Sequence, residues 1–209
     1  MPSRIRQIAR SPNGTGYAWL TACALVGMAA LVMLAIIGRV RLAFAGALLA
    51  ILLGLASISV RWAVLATFAY LTVLGDFRRW LLPFAEWSGA DPLLVVGPGV
   101  AIILWAVALT SKRVDFDTPL SKWILLLMGI MAVQIFNPAQ GGLVVGMAGA
   151  MFLLVPLLWY WVGKSFGDKA LLRTLLFRLV VPMACLAALL GFYQVAFGYP
   201  EYQLEWYEV

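Results

Sequence analysis

Histidine is absent from all 209 residues, only 11% of them are charged, and cysteine occurs twice. Each shortage excludes a class of chemistry. Without histidine there is no Ser-His-Asp triad, no His-ligated zinc and no imidazole acid–base catalysis. Cys23 and Cys185 both lie inside apolar runs, which provides neither a disulfide framework nor a four-ligand metal site. No phosphate-cradling glycine loop is present, so no cofactor and no metal is expected. Charge is scarce where a soluble domain would carry about 25%. What fills the space is apolar: 64% of the residues are hydrophobic and the mean hydropathy is +0.98. A soluble globule could not hide that surface. The expected class is all-α, a polytopic transmembrane helical bundle.

About 20 apolar residues cross a hydrocarbon core of about 30 Å. The sequence contains seven candidate spans: Ala18–Ile37, Leu42–Val60, Trp62–Gly75, Leu93–Leu109, Leu120–Phe136, Leu143–Val162 and Thr174–Phe197. The third reaches only about 21 Å at 1.5 Å per residue, and Arg61 alone separates it from the second, so six to eight helices is the expected range. The net charge of +6 points to orientation rather than to nucleic acid, since cytoplasmic loops collect Lys and Arg. A cytoplasmic N-terminus places Arg4, Arg6, Arg10, Arg61, Lys112, Arg113, Lys122, Lys164, Lys169, Arg173 and Arg178 inside. It leaves Arg39, Arg41, Arg78 and Arg79 outside, together with Asp76, Glu86, Asp91, Glu201, Glu205 and Glu208. Three regions follow: a basic cytoplasmic segment over 1–17, a membrane region over 18–197, and a periplasmic tail over 198–209.

Tryptophan fits this frame. Trp19, Trp62, Trp80, Trp87, Trp123, Trp159, Trp161 and Trp206 fall at or beyond span ends, and Trp105 lies one turn from an end. Interface anchoring is the expectation for all of them. The lipobox-like Leu20-Thr21-Ala22-Cys23 precedes its hydrophobic run, and Ala43-Phe44-Ala45 follows a run too long for a signal peptide. The first span is therefore read as an uncleaved helix.

Polar groups at membrane depth are costly, and four places depart from a plain bundle. The loop Asp76-Phe77-Arg78-Arg79-Trp80-Leu81-Leu82-Pro83-Phe84-Ala85-Glu86-Trp87 mixes charge with aromatics, as an interfacial amphipathic segment does. Arg78 and Arg79 there suit an anionic headgroup or a pyrophosphate, because guanidinium groups bind such oxygens through forked hydrogen bonds. Lipid snorkelling and pairing with Asp76 is the plainer expectation. Gly97-Pro98-Gly99 interrupts the fourth span, either as a simple kink or as a break lining a cavity. Gln134-Ile135-Phe136-Asn137-Pro138 leads into a Gly141-Gly142 turn. Gly142, Gly146 and Gly149 then recur at the spacing that lets helices approach closely. Gln134 and Asn137 could face a polar cavity or cap the turn. Gln194 lies near the end of the last span, before Gly198-Tyr199-Pro200 and an acidic, aromatic tail. At the other end of that span, Arg178 is expected to snorkel to the cytosolic face. No carboxylate falls inside any expected span, which weighs against a proton- or sodium-coupled carrier.

Two of these runs resemble the O-antigen ligase/polymerase-like membrane family. They are Gln134-Ile135-Phe136-Asn137-Pro138 with Leu143-Val144-Val145-Gly146-Met147-Ala148-Gly149, and Phe192-Tyr193-Gln194-Val195-Ala196-Phe197-Gly198-Tyr199-Pro200. The resemblance extends over residues 40–209. It implies the N-terminal membrane half of a bacterial inner-membrane enzyme that ligates or polymerises undecaprenyl-pyrophosphate-linked glycans in cell-surface polysaccharide synthesis. Family members are considerably longer, and their essential arginines and a ligase histidine lie on a large periplasmic loop beyond the point where this chain ends. No catalytic residue therefore carries over, and the chemistry would fall to a C-terminal half or a partner membrane subunit. The implied reaction needs no metal, because arginines would stabilise the departing pyrophosphate. Arg78, Arg79, Gln134, Asn137 and Gln194 are the candidate substrate-binding residues. The alternatives are a small-anion transporter, favoured by the Gly97-Pro98-Gly99 interruption, and a membrane scaffold without chemistry of its own.

Overall fold

The computed structural model describes residues 27–85 and 91–207, with side chains to residue 204. Among these, every regular element is helical. In chain order they are α1 (Gly27–Ile36), α2 (Val40–Ile58), α3 (Val60–Trp80), α4 (Leu93–Thr110), α5 (Pro119–Gln134), α6 (Leu143–Leu153), α7 (Leu158–Phe166), α8 (Lys169–Thr174), α9 (Val181–Phe197) and α10 (Glu201–Tyr207). A 3₁₀ turn over Val155–Leu157 joins α6 to α7, and a π-helical segment over Leu175–Val180 joins α8 to α9. Five helical stretches are long and apolar enough to cross a membrane: Val40–Ile58, Val60–Trp80, Leu93–Thr110, Leu143–Phe166 and Lys169–Phe197. The chain is a multi-pass membrane protein by this measure. The helices over Gly27–Ile36 and Pro119–Gln134 are apolar but shorter.

The fourth expected span coincides with α4 except for one residue at its end. The third does not end at Gly75. Helix α3 runs on through Asp76, Arg78 and Arg79 to Trp80, giving 21 residues in place of the expected short helix. Arg79 pairs with Asp76 one turn back, at 3.4 Å, and such i,i+3 pairs stabilise a helix end. The charged stretch is thus the last turns of a helix, and only residues 81–85 of the expected amphipathic loop are non-helical; Glu86 and Trp87 lie outside the described residues. The break before α3 falls at Ser59, whose backbone is extended. Pro156 and the 3₁₀ turn around it interrupt the sixth span, since proline cannot supply the donor the helix needs. Gly97-Pro98-Gly99, by contrast, leaves α4 unbroken. A Cβ on Gly97 would lie 2.8 Å from Leu71 on α3, so that glycine is where two helices touch.

Helix α4 is the centre of the bundle. It packs against α2, α3 and α7, and Leu93, Val100, Ala101, Leu104 and Ala108 on it are all but inaccessible. Lipid tails are as apolar as leucine, so close packing and polar contacts, rather than escape from water, hold such helices together. Where α5 meets α6, a Cβ at Gly146 would collide with the backbone carbonyl of Ile135, whereas Gly149 has nothing within 4 Å. Beyond Leu171, no residue of the last span is buried. Gly198, at φ +88°, ends α9 and lets the chain turn back so that α10 reaches α3.

Because the long helices alternate in direction, the bundle has two polar ends. One gathers the starts of α2 and α4 and the end of α3. The other holds Lys164–Asp115 at 2.8 Å and Arg61–Asp168 at 4.0 Å. At this second end, Ser121 and Thr118 at the start of α5 bond each other at 2.7 Å, and Thr118 meets the Tyr160 hydroxyl at 3.3 Å. Tryptophan divides into two groups. Trp62, Trp80 and Trp123 are well exposed, whereas Trp161 is completely buried against Ala101, Val155 and Leu158. It belongs to the packed interior and not to the belt. Trp19 and Trp87 lie outside the described residues, as do the Trp206 side chain, the lipobox-like run and residues 18–26 of the first span.

Candidate functional site

The most ordered polar constellation centres on Asp91, which the sequence places in a loop. Its residue exposure is 2%. One carboxylate oxygen, Oδ2, accepts from Arg41 Nη1 at 2.8 Å and from Arg78 Nε at 2.8 Å. The other, Oδ1, accepts from the Leu93 backbone N–H at 3.0 Å, as a helix-starting aspartate does. Arg41 is itself buried. Its Nη2 donates to the carbonyls of Arg78 and Ala85, both at 3.3 Å. Tyr70 adds a clasp, its hydroxyl donating to the Leu93 carbonyl at 2.6 Å. One carboxylate therefore ties together the start of α2, the end of α3 and the start of α4. Buried charges persist only when paired and fully hydrogen-bonded.

Sequence reasoning set Arg41 and Asp91 aside as outer-face charges and missed this hub. A signal was available at Asp91-Pro92-Leu93. Aspartate followed by proline at the start of an apolar run is a helix N-terminus pattern, which would have placed the carboxylate at the bundle surface of α4. Its pairing with Arg41, 50 residues away, leaves no local trace.

Of the candidate residues, Arg78 joins the hub and Arg79 lies beside it, paired with Asp76. Next to them is a cavity of about 560 Å³ lined by Val40, Phe44, Phe77, Trp80, Leu81 and Phe84. The Phe44 and Phe77 rings meet edge to face at 6.1 Å inside it. Arg41 falls between Val40 and Phe44 in sequence, and Arg78 and Arg79 between Phe77 and Trp80. The arginines are thus sequence neighbours of the cavity's lining residues, at the same end of the bundle, without lining it themselves. Gln194 is drawn toward the same end: its amide donates to Gln203 Oε1 on α10 at 2.7 Å, and Trp80 meets Tyr202 on α10 at 6.1 Å between ring centres.

Gln134 and Asn137 are not part of this cluster. Asn137 Nδ2 donates to Gln134 Oε1 at 2.9 Å, and Asn137 Oδ1 caps the backbone of Ala139 at 3.0 Å. Their side chains close the α5–α6 turn. Among the described residues no cluster of three or more Cys, Asp or Glu could hold a metal ion.

No family model, no curated protein and no solved structure matches the chain. The resemblance carried by Gln134–Gly149 and Phe192–Pro200 rests on those residues alone.

Proposed function

We propose that this chain is a bacterial inner-membrane protein that binds an undecaprenyl-pyrophosphate-linked saccharide and forms the membrane half of a glycan ligase or polymerase, with its N-terminus cytoplasmic. One observation carries the reading: an apolar cavity of about 560 Å³ is lined by Phe77 and Trp80, the two aromatics that flank Arg78 and Arg79 on the last turn of α3. A polyprenyl pyrophosphate is an amphiphile with a long apolar tail and a compact dianionic head. Forked guanidinium donors suit the head, and the aromatic lining suits the tail. The positive-inside count supports a periplasmic location for this end, where the resemblance implies that such donors are consumed. The catalytic groups would come from another segment or subunit, and the role of this end is to hold the donor and offset charge on the leaving pyrophosphate.

The test is binding of undecaprenyl pyrophosphate to the chain in lipid nanodiscs. Arg79→Ala is the cleaner variant, because Arg78 also supports the hub. Loss of one charge-assisted contact should weaken binding by about tenfold. Wild-type affinity in both Arg79→Ala and Arg78→Ala would remove the proposal.

A further inference from the structure

The π-helical segment over Leu175–Val180 lies near the start of the last apolar stretch, Lys169–Phe197. Such segments carry i→i+5 bonds and widen the helical turn, and they occur frequently at functional sites. Here the widening has a visible result. Arg173 and Arg178 are five residues apart, a spacing that in a regular α-helix sets side chains roughly 140° from each other at 3.6 residues per turn. In this protein both line one open cavity of about 680 Å³, together with Ala170, Thr174 and Phe177.

The cavity is cationic and amphipathic. Arg178 stands nine positions after Lys169, about 13 Å along the helix at 1.5 Å per residue, within a stretch of high mean hydropathy, 2.2. An arginine at that depth is costly unless it meets an anion. Among the described residues, neither Arg173 nor Arg178 forms an ion pair, while Arg41, Arg61, Arg78 and Arg79 all do. Phe177 supplies an apolar wall between them. The Thr174 hydroxyl donates to the Ala170 carbonyl at 2.8 Å, which leaves its oxygen folded against the helix and the small Ala170 side chain opening the floor.

We infer that Arg173 and Arg178 form a binding site for the phosphate of an anionic phospholipid, with the acyl chains lying along Phe177 and the uncovered apolar face beyond it. Two forked donors converge on phosphate oxygens, and a lipid satisfies both the charge and the exposed hydrocarbon at once. The site lies at the Lys164 end of the bundle, opposite Arg78 and Arg79. It rests on the membrane character of the chain and is independent of the glycan reading.

Native mass spectrometry of the detergent-solubilised chain, titrated with phosphatidylglycerol or phosphatidylcholine, tests it. Wild type should retain phosphatidylglycerol about tenfold more tightly than the zwitterionic lipid. Arg173→Gln and Arg178→Gln should each reduce that affinity by about tenfold, the loss expected for one charge-assisted contact, while leaving phosphatidylcholine binding unchanged. Lys122→Gln, at the same end but outside the cavity, should have no effect. Both arginines are exposed, and an unaltered melting temperature in the variants separates loss of the site from loss of the fold. The inference is overturned if Arg178→Gln binds phosphatidylglycerol like wild type. It is equally overturned if Lys122→Gln is as damaging, which would mean diffuse attraction, or if inorganic phosphate displaces the lipid at equal concentration, which would mean a free anion.

Discussion

Asp91 receives two guanidinium donors and one backbone N–H, with its side chain fully shielded. At this residue the cost of a change follows from what it leaves behind. Asp91→Asn keeps the shape but strands buried Arg41 beside a neutral amide, and breaking a buried pair in this way costs about 3–5 kcal/mol. We expect a large fall in melting temperature in detergent. Replacing Arg41 and Asp91 together by Met and Leu should recover part of it, because the buried Arg41 charge is gone and only the more exposed Arg78 loses its carboxylate. A double-substitution cycle on the two positions measures the coupling directly. The hub also shows why single residues were the hardest part of the sequence to read. Arg78 stood out because two adjacent arginines follow a membrane span, whereas Arg41 and Asp91 looked like ordinary flanking charges. Trp161 erred in the opposite direction: its position near a span end suggested an anchor, yet it is enclosed by α4 and α7 neighbours.

Among the elements, the apolar runs translate into helices almost residue for residue where no charge intervenes, as in α4. Legibility fails where charge is neutralised by partners that the local sequence does not show. Asp76, Arg78 and Arg79 resemble a loop until Asp91 and their mutual pairing are in place, and α3 then extends five residues past Gly75. The 3₁₀ turn follows from Pro156, but the π segment has no marker in Leu175–Val180 that distinguishes it from α-helix. The glycine spacing of α6 is informative only in part. Gly146→Val should be destabilising by about 1–3 kcal/mol, since the obstacle is the backbone of Ile135, which cannot rotate away. Gly149→Ala, which meets open space, should be neutral or stabilising by up to about 1 kcal/mol. Chemical denaturation of both variants in mixed micelles distinguishes a packing glycine from an incidental one.

For the whole molecule, composition decided the class, and the alternation of helices produces two ends of different character. At the Lys164 end the contacts are exposed and electrostatic. Lys164 donates to Asp115 at 2.8 Å, with the Asp117 N–H adding a bond at 2.9 Å, and these hold the Asp115 carboxyl below its ordinary value. A carboxyl with a lowered folded pKa stabilises the fold fully above the ordinary range and loses that contribution as pH falls through the lowered value. The melting difference between wild type and Asp115→Asn should therefore stay constant between about pH 7 and pH 5 and shrink only below about pH 4. At the Asp91 end the contacts are enclosed and insensitive to salt by comparison.

That enclosure has a consequence for how the protein is made. Arg41 and Asp91 are 50 residues apart, and synthesis proceeds at about 5–20 residues per second, so Arg41 leaves the ribosome roughly 3–10 s before its counterion exists. In that interval the carboxylate that joins α2 to α3 and α4 does not yet exist. The contact that ties the starts of α2 and α4 to the end of α3 can therefore form only after the start of α4 has been made.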